Sequence, residues 1–388
     1  MEVDAVILAL NCGSSSLKYA LFDAQGTPLL RGEVRGIGVE PSVPTHAHAV
    51  EEVFQALGPG RAAALSAIVH RIVHGGPVMH EPTLLTPEVR AELRSLSHFA
   101  PLHLPSALAA VDAALQAAPG ALQVAVFDTD FHWTVVPHAR RLPLPRAFDD
   151  LGVRKYGFHG LSCASVIEQL GRALGPRALI AHLGSGASVT ALRDGVSVDT
   201  TMSFTPAGGI PCATRSGDLD PGVMLHLLRR GLCVDSLEEL VWHKSGILGV
   251  SETTSDMQRL LAERATDSRA RLAVELFVYA VRKAIGGLTA ALGGLDTLVF
   301  TGGIGERASE VRAEICAGLA HLGVALEPRA NEEGWRVLSA SGAPVEVLIV
   351  QTDEERVMAG AARKLTDQPA HHLPLRAGAP TVDPGLPV

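Results

Sequence analysis

Two segments in opposite halves of the chain repeat one pattern. NCGSSSLKYALFDAQG (11–26) and HLGSGASVTALRDG (182–195) each follow an apolar run, turn through Gly and Ser, re-enter an apolar strand and reach a polar-Gly turn. A duplication constrains the fold strongly, because each half must then build the same hairpin and bury it in its own layered core. The match is short, and at this point chance likeness stands as an equal alternative.

The surrounding segments give an α/β pattern. Short apolar runs at 6–10, 17–22, 122–127, 179–183, 189–192, 297–301 and 345–350 read as strands. Helical periodicities lie between them at 50–57, 87–96, 106–117, 162–174 and 221–230. The longest spans 267–292, with Leu272, Leu276, Tyr279 and Lys283 on one helical line. A last helix is expected from near Thr352 to 365, since Thr352 and Glu355 have capping-box spacing. With 388 residues, 47% of them hydrophobic and 4% aromatic, the chain can fill two cores and does not resemble an aromatic-rich sandwich. The expected division is 1–145 plus 353–365, then 146–352, with a cleft between two domains. Residues 366–388 carry five prolines and read as a loosely held tail.

A formal net charge of −8 argues against a general nucleic-acid surface, so any anion site must be local. No run of 18 apolar residues suggests a membrane span, and Glu2 and Asp4 stand where a secretory signal would be basic. A cytoplasmic protein is expected. Its scattered cysteines, Cys12, Cys163, Cys212, Cys233 and Cys316, suggest neither disulfides nor a CxxC metal site.

Chemistry-bearing residues cluster in a few turns. Asn11 to Ser16, followed by Lys18, offers backbone N–H groups, hydroxyls and an ammonium suited to a phosphate, although the same residues make ordinary hairpin turns. Gly184 to Ser188 and Gly302 to Glu306 are two further Gly-rich turns after strand-like runs. Arg71, in HRIVHGG, and Arg215, in ATRSGDLDP, carry planar forks that suit carboxylate or phosphoryl oxygens, although taken alone a structural ion pair is the favoured reading. Asp128 ends the run VAVFD, a position that faces the ligand crevice in α/β proteins. The trio Asp353, Glu354 and Glu355 serves either a site or the last helix's N-terminus. His159 sits between glycines in YGFHG, which permits close approach of a ligand.

These segments together resemble the acetate kinase family, of the actin, Hsp70 and sugar-kinase superfamily. The resemblance runs from Leu8 to about Lys364 through LNCGSSSLKYALFD, HRIVHGG, APLHLP, VFDTDFH, YGFHG, HLGSGAS, SFTPAGGI, ATRSGDLDP, TGGIGE and QTDEE. It implies a duplicated actin-like ATPase (ribonuclease H-like) fold and Mg²⁺-dependent, reversible, in-line phosphoryl transfer from ATP to acetate. Mn²⁺ is the alternative metal and a homodimer the expected assembly. By the same resemblance Asn11, Ser14, Ser16 and Lys18 form one phosphate loop, while His182, Gly184, Ser185, Gly186, Asp256, Gly303 and Gly305 serve the nucleotide. Arg71 and Arg215 would hold the acyl carboxylate and the moving phosphoryl group, and His159 would donate to the transition state. Asp128 and Glu354, with Asn11, would hold the metal, and Val73, Leu102, Phe158 and Pro206 would line the acyl pocket.

Ser185, Ala213, Gln258 and Arg307 depart from the family pattern near the nucleotide. The alternatives are therefore a propionate or butyrate kinase, an acyl kinase with another phosphoryl donor such as pyrophosphate, and a non-catalytic nucleotide- or acetyl-phosphate-binding paralogue.

Overall fold

The computed structural model describes residues 6–366 apart from Ser14, Pro101 and Leu102. The expected phosphate-loop residue Ser14, the expected acyl-pocket residue Leu102 and the tail beyond Thr366 lie outside the described residues.

Two sheets share one topology. β1 (Val6–Cys12), β2 (Ser16–Phe22) and β3 (Pro28–Arg35) form an antiparallel meander. β4 (Leu65–Ile72) and β6 (Leu122–Phe127) continue it in parallel from β1, and β5 (Thr83–Leu84) closes the edge, giving the order β3-β2-β1-β4-β6-β5. In the second sheet β7 (Arg177–Leu183), β8 (Ala187–Arg193) and β9 (Val196–Thr200) form the meander. β10 (Thr297–Thr301) and β11 (Glu346–Ile349) extend it in parallel, giving β11-β10-β7-β8-β9. The two echoing sequence segments occupy the equivalent β1–β2 and β7–β8 hairpins. That equivalence supports duplication over chance likeness.

The chain gathers into two compact units. One contains the residues up to Phe131, Leu144–Val153 and the chain from Asp353; the other contains His132–Pro143 and Arg154–Thr352. The sequence suggested one crossing near 145, whereas contacts hold 132–143 to the second unit. There His132 Nδ1 meets Ser197 Oγ at 3.0 Å and Thr134 Oγ1 donates to the Ser197 carbonyl at 2.8 Å.

In the first unit Leu8, Leu10, Leu17, Leu21 and Ile68 are buried beneath Val50, Val53 and Leu57 of the helix His46–Ala63. The last helix, Glu354–Thr366, packs on β1 and β4 through Val357, Met358, Ala359 and Ala362. Its cap lies one residue later than expected. Asp353 Oδ1, rather than Thr352, accepts from the Arg356 N–H at 3.1 Å.

In the second unit the helix Ser268–Leu292 lies across β7 and β8 and buries Val274, Phe277, Val281, Ile285 and Leu288. The line through Leu272 and Tyr279 is the outward one, 54% and 65% exposed. Among the described residues no helix is long and apolar enough to cross a membrane.

Candidate functional site

The first unit brings four of the expected residues together at the C-terminal ends of β1, β4 and β6. Arg71, next to last in β4, donates from Nε and Nη2 to the same oxygen of Asp128, Oδ2, at 3.2 and 2.5 Å. Its Nη1 reaches Asn11 Oδ1 at 3.4 Å, and the Asn11 amide donates to Glu354 Oε2 and Glu355 Oε1, both at 2.9 Å. The Asp128 side chain is 2% exposed and that of Arg71 17%. Burial disfavours the Arg71 charge, but Asp128 and Glu354 more than offset it and hold its pKa above the ordinary value. Burial likewise pushes the Glu354 carboxyl up, partly opposed by Arg71 and reinforced by Asp128. Cys12 beside them is driven up to about 12 by burial, so its thiol is inert at neutral pH.

The acidic trio thus divides its work. Glu354 and Glu355 turn to Asn11, while Asp353 pairs with Arg31 at 2.5 Å and caps its helix. Glu355, expected from its spacing to pair with Thr352 in a capping box, instead joins Glu354 on the Asn11 amide. Lys18 is exposed and directly opposite Asn11 in the β1–β2 register, so both side chains emerge on one face. Gly13 and Ser16 close the hairpin by a 2.8 Å backbone bond. Val73, just beyond β4, is buried.

In the second unit His159 and Arg215 converge on Gly186. A side chain at Gly186 would place its first carbon 3.0 Å from His159 Nε2 and 3.3 Å from Arg215 Nη1. His159 adopts a left-handed backbone, φ 62°, that only glycine takes without cost. Ser188 Oγ holds its Nδ1 at 2.9 Å, and its ring stacks on His182 with centroids 4.1 Å apart. His182 is fixed in turn by Ser162 Oγ at 2.7 Å. His182, expected near the nucleotide, therefore stands directly behind His159.

Arg215 donates to the Pro206 carbonyl at 3.2 Å and lies over the Trp242 ring. The two aspartates that follow it in ATRSGDLDP have tasks of their own. Asp218 accepts from the Gly209 N–H, and Asp220 caps the helix Pro221–Arg229. Phe158 is buried, and its carbonyl meets His132 Nε2 at 2.9 Å.

Gly184, Ser185, Asp256 and Gly303 line a single cavity of about 920 Å³ with Gln258, Ile304 and Arg307. Asp256 also caps the helix Met257–Glu263. Gly186 and Gly305 are not in that lining. The glycine that geometry demands in GGIGE is Gly302, with φ 77° and only 2.7 Å between an added Cβ and the Leu183 carbonyl. The family resemblance implied Gly303 and Gly305; which glycine meets a neighbouring strand shows only in the folded chain. Among the described residues no group of three or more His, Cys, Asp or Glu side chains is arranged to hold a metal by itself.

Two copies of one sheet topology, each with a Gly-rich turn in its first hairpin, define a class: the duplicated actin-like ATPase fold, used by phosphotransferases. The acetokinase family model matches residues 6–360, and the chain belongs to that family. It is 41% identical to an acetate kinase from a Synechococcus species, over 92% of this chain and 98% of the relative. Among solved structures it matches an acetate kinase from Porphyromonas gingivalis with a TM-score of 0.82 and 36% identity, over 93% of this chain and 100% of the other. A propionate kinase from Francisella tularensis matches with a TM-score of 0.86 and 31% identity, over 92% and 98%.

Proposed function

We propose that the protein is an acetate kinase, transferring the γ-phosphoryl group of ATP to acetate to give acetyl phosphate and ADP, reversibly. The observation that carries this reading is the cluster of Arg71, Asp128, Asn11 and Glu354. A carboxylate attacking a phosphoryl group brings two anions together, so positioning and cationic stabilisation are most of what the reaction requires. Acetate is already ionised at neutral pH and needs no general base.

In the first unit Arg71, fixed by Asp128 and Asn11, presents its guanidinium to the acyl carboxylate and the phosphoryl oxygens. In the second, Arg215 stabilises the transferring group. His159 donates from Nε2, its tautomer set by a Ser188 hydroxyl directed at Nδ1. The cavity containing Gly184, Ser185, Asp256 and Gly303 takes the nucleotide, with Met257, Leu261 and Ile304 as its apolar wall. In the first unit the buried Val73 serves the acyl tail.

Asp128, Glu354 and the Asn11 amide oxygen form a hard-oxygen donor set that suits Mg²⁺, or Mn²⁺ in its place, held by few carboxylates beside water and phosphate oxygens. When bound, the ion offsets phosphate charge.

A cytoplasmic homodimer is part of the reading. All five cysteines are free, as in a reducing compartment. The helix Pro221–Arg229 buries none of its residues and exposes Leu225 and Leu228, three apart on one side, an apolar patch suited to a second copy.

Trapping acyl phosphate as the hydroxamate, with acid and phosphoryl donor varied independently, tests the function. Acetyl hydroxamate from ATP and acetate supports it. Nucleotide binding with no product from any acid or donor would instead identify a binding paralogue.

A further inference from the structure

Arg312, on the helix Ser309–Ala317, is 1% exposed and is the one lysine or arginine in the buried core among the described residues. Every hydrogen-bond partner given to it is neutral. Nε donates to Asn331 Oδ1 at 2.9 Å and Nη2 to the Asn331 carbonyl at 2.7 Å. Nη1 donates to the carbonyls of Gly305 and Glu306 at 3.0 and 2.9 Å. Burial lowers its pKa from the ordinary value, but a guanidinium starts so high that it stays charged. Cys316 nearby supplies no counter-charge, because burial drives its thiol up to about 12.

A buried cation facing only neutral groups is costly, and a neutral donor could satisfy the same carbonyls without that cost. The two carbonyls lie at the C-terminal end of the short helix Gly302–Arg307, whose dipole favours a cation there and offsets part of that cost, but no carboxylate among the partners balances the charge in full. Gly303, Ile304 and Arg307 of this helix line the cavity assigned above to the nucleotide. Arg312 does not itself line that cavity; it grips the end of the helix.

We propose that Arg312 is a positioning residue for the phosphoryl donor, fixing the helix Gly302–Arg307 from its C-terminal end while its charge, matched by no carboxylate, attracts the donor's phosphates. Water is excluded around the guanidinium, so its field is weakly screened. The proposal rests on reading the cavity as the nucleotide site.

Asn331→Asp tests it by setting a carboxylate against Arg312 Nε while keeping the guanidinium. Calorimetry on the full chain should show ADP affinity falling roughly tenfold with adenosine affinity unchanged, because only the phosphates sense the lost charge. A role confined to packing predicts no such split between the two ligands. Arg312→Gln is the second variant should Asn331→Asp not fold, and the same split is expected. Unchanged ADP affinity in a folded variant overturns the proposal and leaves acetyl phosphate formation by the wild type untouched. A wild type that binds neither ADP nor adenosine overturns the nucleotide reading itself, and the proposal with it.

Discussion

Arg71 and Asp128 meet through a single carboxylate oxygen, which takes both Nε and Nη2 of the guanidinium. The pair is nearly buried, so each member depends on the other. Arg71→Ala should remove most turnover and also lower the melting temperature, since it strands a buried carboxylate at a cost of roughly 3–5 kcal/mol. Arg71→Lys keeps the charge but loses the fork. It should stay folded while losing about 10²-fold in kcat, the scale of removing one transition-state donor. Near-normal acetyl phosphate formation by Arg71→Lys would argue against the assigned role.

His159 offers a different separation of stability from activity. Its left-handed backbone costs roughly 1–2 kcal/mol for a non-glycine residue. His159→Gly should melt at or above the wild-type temperature while losing turnover. Ser188→Ala, which removes the partner of Nδ1, should lower kcat about tenfold with little change in the KM for acetate. A fall in melting temperature of several degrees for His159→Gly, with turnover retained, would contradict both expectations.

Asp130 gives a pH signature outside the proposed chemistry. Burial, reinforced by Glu81, raises its carboxyl to about 6 from the ordinary 3.8. Between those values the folded state holds a proton that the unfolded state has released, so this residue's contribution to stability falls as pH rises through the window. Asp130→Asn should therefore gain melting temperature relative to wild type above about pH 6 and lose that gain toward pH 4. A constant difference across a pH series of melting curves would count against the raised value.

The central helix of the second unit can be tested by packing alone. Phe277 is fully buried, and Phe277→Ala should cost about 3–5 kcal/mol in denaturant unfolding of that unit. Tyr279→Ala, on the outward face of the same helix, should cost well under 1 kcal/mol. Equal losses for the two would mean the helix is turned the other way.

Much of this was legible in the sequence because buried strands announce themselves. β1, β2, β6, β7, β8 and β10 are apolar runs that lie near their expected places. β3 and β9 escaped notice because they are half-exposed edge strands, PLLRGEVR and VSVDT, without continuous apolar character, and the buried central β4 was missed because Ser66, His70 and Arg71 interrupt its apolar run. Asn11, Arg71, Asp128 and Glu354 were each visible as residues of unusual chemistry; their joining through one amide and one guanidinium was not, since it depends on the parallel register of β1, β4 and β6. Arg312 was passed over for a related reason. In the sequence it is an ordinary helical arginine, and only its burial among neutral partners distinguishes it.

The central claim is direct transfer from ATP to acetate, and product stoichiometry tests it most directly. In one reaction of purified protein with ATP, Mg²⁺ and acetate, ADP, acetyl phosphate and inorganic phosphate are quantified together. The account predicts ADP and acetyl phosphate in equal amounts with little free phosphate. ADP matched by free phosphate, with no acetyl phosphate, would contradict it.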